Sequence, residues 1–420
     1  MSTKIKSIKA LEILDSRGNP TVQTEIELVN GIKAKSSVPS GASTGTYEAW
    51  ELRDVNNDRY GGMGVQKAVL NVNKKIARLL KGYDVLKQKK IDFKMIAEDG
   101  TKNKSKLGAN AILSVSMVCV KAAAQAKKIP PYQYIRENYA LPYKNYELPM
   151  PMFNIFNGGK HADTNLDFQE FMIVPVKKVS FAEKLRIGAE IFHELAFVLK
   201  ERGYDTDVGS EGGYAPDVHS TISVFEMIIT AIKQAGYLTK RDVSLALDVG
   251  ASTLFDKRKK QYIFKLENNF MASHELVELY REWIKKYPIM SIEDPLDEDD
   301  WHTWVTLTKE IGHKVQLVGD DLFATNVTRL KEGIKLKVAN AVIIKPNQIG
   351  TVTEVVEFYK MAKNNNYKTV VSHRSGETND DFIADLAVAL NSDFIKAGSL
   401  SRGERLAKYN RLLEIENELK

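Results

Sequence analysis

Short apolar runs recur through the second half of the chain, and each stops on a side chain able to do chemistry. Val243-Ser-Leu-Ala-Leu stops on Asp248, Ile289-Met-Ser-Ile on Glu293, and Val315-Gln-Leu-Val-Gly on Asp320, with Asp321 beside it. Ala341-Val-Ile-Ile stops on Lys345, Thr369-Val-Val-Ser on His373 and Arg374, and Phe394-Ile on Lys396. Amphipathic helical segments separate most of these runs. Strand alternating with helix predicts a parallel sheet, because parallel neighbours need a crossover. Two further strand-like runs, near 149–156 and 168–174, precede two long helical patterns over 181–202 and 221–235. With the six later runs they complete an eight-stranded α/β barrel of the TIM type, whose chemistry collects at the C-terminal strand ends. The two leading strands have no helix between them, so an antiparallel pair is expected there.

The first third of the chain reads differently. Residues 5–10, 22–28 and 32–38 alternate as a three-stranded meander, with Asn30-Gly31 as a tight turn. Pro39-Ser-Gly-Ala-Ser-Thr-Gly45 follows, a loop of small residues that can approach a ligand closely. Helical patterns over 65–80, 85–97 and 110–127 complete a smaller α+β domain. Ile129-Pro-Pro131 closes it, and a Pro- and Tyr-rich connection over 130–145 leads onward. The expected division is an N-terminal domain over 1–140, with a mobile loop at 39–45, and a C-terminal barrel over 141–420. A polar helix over 404–420 comes last.

Composition narrows the function classes. The 420 residues are 43% hydrophobic and 27% charged, ordinary for a globular protein with a large core. The net charge of +6 is modest, and the Lys-rich runs at 87–90, 102–106 and 257–260 lack interleaved aromatics. That argues against a nucleic-acid groove. The single cysteine, Cys119, allows no intramolecular disulfide and reads as a small core residue in an Ala-rich helix. No window offers about 18 uninterrupted apolar residues for a membrane span, and the first residues lack a signal peptide's apolar stretch. A cytoplasmic enzyme with no membrane span and no nucleic-acid partner is expected.

Asp248, Glu293 and Asp320 supply hard oxygen ligands from three strand ends, about 4.8 Å apart where the strands are neighbours. Unpaired, they would repel, so a cation is the natural counterion. A set without Cys or His favours Mg²⁺ over Zn²⁺. The plainer account pairs each acid with a lysine or makes it a helix cap, and for one acid alone that account is the better one. Lys345 ends an apolar strand. Partly desolvated and close to divalent cations, its ammonium should lose a proton readily and serve as a general base. Its plainer role is an ion pair with a barrel acid. Ser372-His-Arg-Ser375 and Lys396 suit an anionic substrate, with Arg374 able to grip a phosphate. Glu170, in Phe168-Gln-Glu-Phe171, and Glu211, in Gly209-Ser-Glu-Gly-Gly213, are candidates for an acid or base opposite Lys345. His161, in Asn157-Gly-Gly-Lys-His161, reads by itself as a surface histidine on a flexible loop.

Taken together, these residues resemble the enolase family, from Asp15-Ser-Arg-Gly-Asn-Pro-Thr21 to Glu404-Arg-Leu-Ala-Lys-Tyr-Asn410. The most specific stretches are Val38-Pro-Ser-Gly-Ala-Ser-Thr-Gly45, Gln316-Leu-Val-Gly-Asp-Asp-Leu322, Asn347-Gln-Ile-Gly350 and Ser372-His-Arg-Ser-Gly-Glu-Thr378. The resemblance implies an enolase-type barrel and a glycolytic activity, the reversible dehydration of 2-phosphoglycerate to phosphoenolpyruvate with two Mg²⁺ ions, in a homodimer or larger homo-oligomer. It implies that Asp248, Glu293 and Asp320 hold the first Mg²⁺ and that Ser43 serves the second. Lys345 would take the C2 proton, and Glu211 would protonate the departing C3 hydroxyl with Glu170 assisting. Arg374 and Ser375 would bind the phosphate and Lys396 the carboxylate, with Gln169, His161 and His373 as further substrate contacts.

Three features depart from the family pattern. Ser210 stands where an Asp usually precedes the catalytic Glu, Pro346 follows Lys345 in place of an apolar residue, and Gln23 with Glu414 replaces a charged intersubunit pair. Two rival expectations stand beside this one. The first is another enolase-superfamily reaction on a non-phosphorylated acid. The second is a non-catalytic, adhesin-like use of the fold, with display at the cell surface.

Overall fold

Strands β1 (Ile5–Leu14), β2 (Pro20–Leu28) and β3 (Lys33–Ser37) pair as an antiparallel meander in the computed structural model, which describes residues 2–42, 45–55 and 58–420. Alternation turns Val22, Ile26 and Leu28 of β2 into the core. Gly31 turns the hairpin at φ +88°, a conformation that glycine adopts without steric cost. The first strand runs past residue 10, paired with β2 as far as Leu14, and the exposed Leu11 and Leu14 blur the alternation that would have shown it. Behind the sheet lies the helix Ala109–Lys127, buried over most of its length, Cys119 included. Its length and apolar character would let it cross a membrane; here it is the core helix of the N-terminal part.

Two expectations need correcting in this region. The helical stretch 66–80 contains a π turn at Asn71–Ile76, beside which Asn71 Nδ2 donates to the carbonyl of Leu107 at 2.9 Å. The connection over 130–145 contains a helix, Pro131–Asn138. Proline is at home in a first helical turn, where its missing N–H would have no partner anyway. Arg136 of that helix donates to the carbonyls of Val388 and Ala389, at 2.7 and 3.1 Å, on the barrel side.

The remaining chain builds a closed barrel from β4 (Met150–Asn157), β5 (Glu170–Pro175), β6 (Val243–Asp248), β10 (Ile289–Glu293), β11 (Gln316–Gly319), β12 (Ala341–Ile344), β13 (Lys368–Ser372) and β14 (Phe394–Lys396). Neighbours are parallel except at β5, which runs antiparallel to both β4 and β6. Its reversal carries Glu170, the first residue of the strand, to the level of Asp248 at the end of β6. Met172, Val174, Ala246, Val318, Ile343 and Phe394 contribute to the inner apolar layer below the mouth. Three short strands, β7 (Phe255–Asp256), β8 (Gln261–Phe264) and β9 (Asn269–Met271), form a separate small sheet before the helix Ser273–Lys286. Strands this short, turning on the Lys257–Lys260 run, carry too little periodicity to be read from sequence. The architecture is the expected α/β barrel with a smaller α+β domain. A buried contact joins the two: Asp92, on the helix Gln88–Asp99, accepts from Thr353 N at 3.1 Å and Thr353 Oγ1 at 2.6 Å, on the helix Val352–Asn364.

Candidate active site

The strand register sets three acids in a row. Glu170 pairs across with Asp248, and Asp248 with Glu293, at the ends of adjacent strands. Lys396, ending β14, reaches across the barrel into this row. Its Nζ lies 3.0 Å from Asp248 Oδ2, 2.9 Å from both Glu293 oxygens and 3.3 Å from Glu170 Oε1. Burial opposes its charge, but those acids hold the ammonium well above the ordinary lysine range. The carboxylates expected to stand unpaired therefore have lysine partners. Asp320, one residue beyond β11, is ion-paired with Lys345 and accepts from Gln348 Nε2 at 2.9 Å.

Lys345 corrects a second expectation. Burial favours its neutral amine, yet the charge of Asp320 wins, and its pKa is raised rather than lowered. Pro346 occupies the first position of a short helical turn, Pro346–Ile349, so the lost N–H is one that needs no partner. A residue before proline is pushed out of the helical region, and Lys345 is accordingly extended, at φ −120° and ψ 108°.

Around the rim, acids outnumber cations. Asp294 follows Glu293 directly and accepts from the backbone N–H of Asp320 and Asp321, at 2.9 and 2.8 Å. Burial and the neighbouring carboxylates push Glu293 and Asp294 well up and bring Asp321 to about 8. Carboxyls raised together in such a cluster mark a deficit of positive charge, which a divalent cation would fill. Oxygens of Asp294, Asp320 and Asp321 lie within 4.8 Å of one another, an all-oxygen group that could hold a hard metal ion. His161, Glu170 and Glu211 form a second group of that spacing.

This second group is organised around a buried imidazole. His161 is buried, contrary to the surface reading, and its Nδ1 lies 3.3 Å from both Glu170 Oε1 and Glu211 Oε2. Burial disfavours the imidazolium, but the two carboxylates raise its pKa to about 10. Burial and Glu211 push Glu170 up to about 7, whereas the charge of His161 holds Glu211 well below the ordinary range despite its burial. The two carboxyls of the pair are thus pushed in opposite directions. Glu170 Oε2 is buried with no hydrogen-bond partner among the described residues, and Asn154 Nδ2 donates to Glu211 Oε2 at 2.9 Å. Ser210 does local work: its Oγ and its N–H both donate to the carbonyl of His161, at 2.8 and 3.1 Å.

The N-terminal domain closes one side. Ser40 and Gly376 exchange two backbone hydrogen bonds, and Glu48 takes Arg374 in a two-pronged pair at 2.8 and 3.1 Å. Ser43 lies outside the described residues. One pocket at the barrel mouth is lined by His161, Gln169, Glu170, Glu211, Asp248, Asp320, Lys345, His373, Arg374, Ser375 and Lys396, with Asp294 and Asp321 beside them. Glu293, in contact with Lys396 Nζ, is outside that lining. Glu48 and Asn154 carried no sequence signal; Asp294 could have been noticed as the acid next to Glu293, as Asp321 was beside Asp320.

Residues 145–420 match the model of the enolase C-terminal TIM barrel domain, and residues 5–135 that of the enolase N-terminal domain. The chain belongs to the enolase family. Enolase-family domains in this order point to a lyase. The family is metal-dependent, in keeping with the acidic groups of this enolase-type mouth.

Proposed function

We propose that this chain is the glycolytic hydro-lyase of its family, interconverting 2-phosphoglycerate and phosphoenolpyruvate, and that it works in the cytoplasm as a homodimer or larger homo-oligomer. The observation that carries the reading is the joint presence, in one pocket, of a buried lysine, a pair of carboxyls, Glu170 and Glu211, pushed in opposite directions, and an arginine–serine corner. Asp248, Glu293 and Asp320 would hold one Mg²⁺ and Ser43 would serve a second, neutralising charge that builds on the substrate carboxylate. Arg374 and Ser375 orient the phosphate, and Lys396, lining the same pocket, meets the carboxylate. Lys345 Nζ takes the C2 proton. Its burial favours the neutral amine, and its ion pair opposes it, so the base is armed when the charge of Asp320 is engaged elsewhere. Glu170 and Glu211 share the proton that leaves with the C3 hydroxyl.

Ultraviolet absorbance of phosphoenolpyruvate formation tests this, with Mg²⁺, with chelator and in Lys345→Ala. The expected result is magnesium-dependent turnover that falls by at least about 10³-fold in the variant, an outcome at the scale of losing a positioned base. No turnover by folded wild-type protein would end the proposal, and full activity in Lys345→Ala would remove the base from it.

A further inference from the structure

Arg405 stands in the first turn of the helix Gly403–Glu418 with no exposed surface, a place where the helix dipole disfavours a cation. Its guanidinium gathers backbone from three directions. Nη2 donates to the carbonyls of Ser210 at 2.9 Å and Ser375 at 2.6 Å, and Nη1 to that of Arg374 at 2.6 Å. Nη1 also lies 2.6 Å from Nδ1 of His373. Arginine keeps its proton and can only donate, so Nδ1 of His373 must accept with its lone pair. The single proton of a neutral ring is then on Nε2, which lies 3.7 Å from Glu211 Oε2. Burial holds the ring well below the ordinary histidine range, helped by Arg405, Lys396 and Lys345 and opposed by Glu211. Space for the guanidinium depends on Gly398, where a Cβ would come within 2.6 Å of Arg405 Cδ.

We propose that Arg405 is a positioning residue that locks His373 as the neutral Nε2–H tautomer, so that the ring presents a fixed donor beside Glu211. Such a ring steadies the oxygen of a departing hydroxyl without competing for the proton that Glu170 and Glu211 handle. The catalytic consequence rests on the lyase reading above; the tautomer rests on geometry alone.

Nitrogen-15 spectra of histidine-labelled full-length protein read the tautomer directly, with His373→Gln to assign the ring. The expected pattern in wild type at neutral pH is a pyridine-type Nδ1 and a pyrrole-type Nε2. The reverse pattern, or a doubly protonated ring, overturns the proposal whether or not the protein turns over 2-phosphoglycerate. The expected pattern in a protein without turnover supports the lock and sinks the lyase reading instead. Arg405→Lys keeps the charge but loses the planar fork. It should mix the two tautomers and lower kcat by about 100-fold with KM little changed. Lost activity with an unaltered His373 spectrum would make Arg405 merely structural and end the proposal. Where Arg405→Lys fails to fold, Gly398→Ala displaces the same guanidinium, and unchanged ring signals there overturn the proposal equally.

Discussion

Single side chains in this mouth are defined by what they are paired with. Glu48 is the clearest case, because it belongs to the N-terminal domain and holds Arg374 of the barrel with both carboxylate oxygens. Both side chains are nearly buried, at 7% and 4% exposure, so taking away the carboxylate removes a buried counter-charge and leaves the guanidinium to its other partners, Asn347 Oδ1 at 3.1 Å among them. Glu48→Ala should cost about 3 kcal/mol of stability, the lower end for breaking a buried pair, as read by denaturant unfolding. Glu48→Gln keeps the shape and part of the hydrogen bonding and should cost less. Equal stability of Glu48→Ala and wild type would mean that the pair is a surface-like contact after all. Lys345 belongs to the same class. Its place at a strand end was legible in the sequence, but a strand end sets only the height of a side chain. Which neighbour it leans on, Asp320 in this case, is decided by the barrel's curvature.

Among the elements, the legible ones were those whose environment imposes a long, uniform pattern. Every residue of β12 is buried, and a fully apolar run is how such a strand reads. The small sheet β7–β9 was illegible because its strands are two to four residues long. Contacts such as Glu48 with Arg374, or Arg405 with His373, link residues far apart in the chain and leave no local trace. Connections between elements also carry precise demands. Gly250, after β6, has φ +56°, and a Cβ there would lie 2.2 Å from Gln169 Nε2. Gly250→Ala pays about 1–2 kcal/mol for the left-handed backbone. Because Gln169 must also move, kcat/KM should fall by about 10- to 100-fold, more than that stability loss implies. Thermal unfolding and steady-state kinetics on one preparation separate the two effects; a loss of stability with intact kinetics would mean that Gln169 has no part in catalysis.

Across the whole molecule, the two domains communicate through buried polar contacts, and one of them titrates. Burial pushes Asp92 up to about 6 from 3.8, against the pull of hydrogen bonds from Thr353, Ser116 and Gln88. A carboxyl raised in this way binds its proton more tightly in the folded state. Its contribution to stability is therefore complete below pH 3.8 and is lost as the pH rises through about 6. The loss amounts to roughly 3 kcal/mol. Urea unfolding at stepped pH should show that decline in wild type and a flatter curve for Asp92→Asn; parallel curves would acquit Asp92. The reversed strand β5 has a different kind of consequence. In a uniform α/β barrel the rim is written downstream of each strand and the floor upstream, so lengthening the segment after a strand remodels the opening. At β5 this grammar is inverted. Segment 158–169, which precedes it, forms rim, and the exposed turn at Lys177–Lys178, which follows it, belongs to the floor. An insertion or new chain termini at that turn would leave the opening as it is, making it a natural seam for circular permutation.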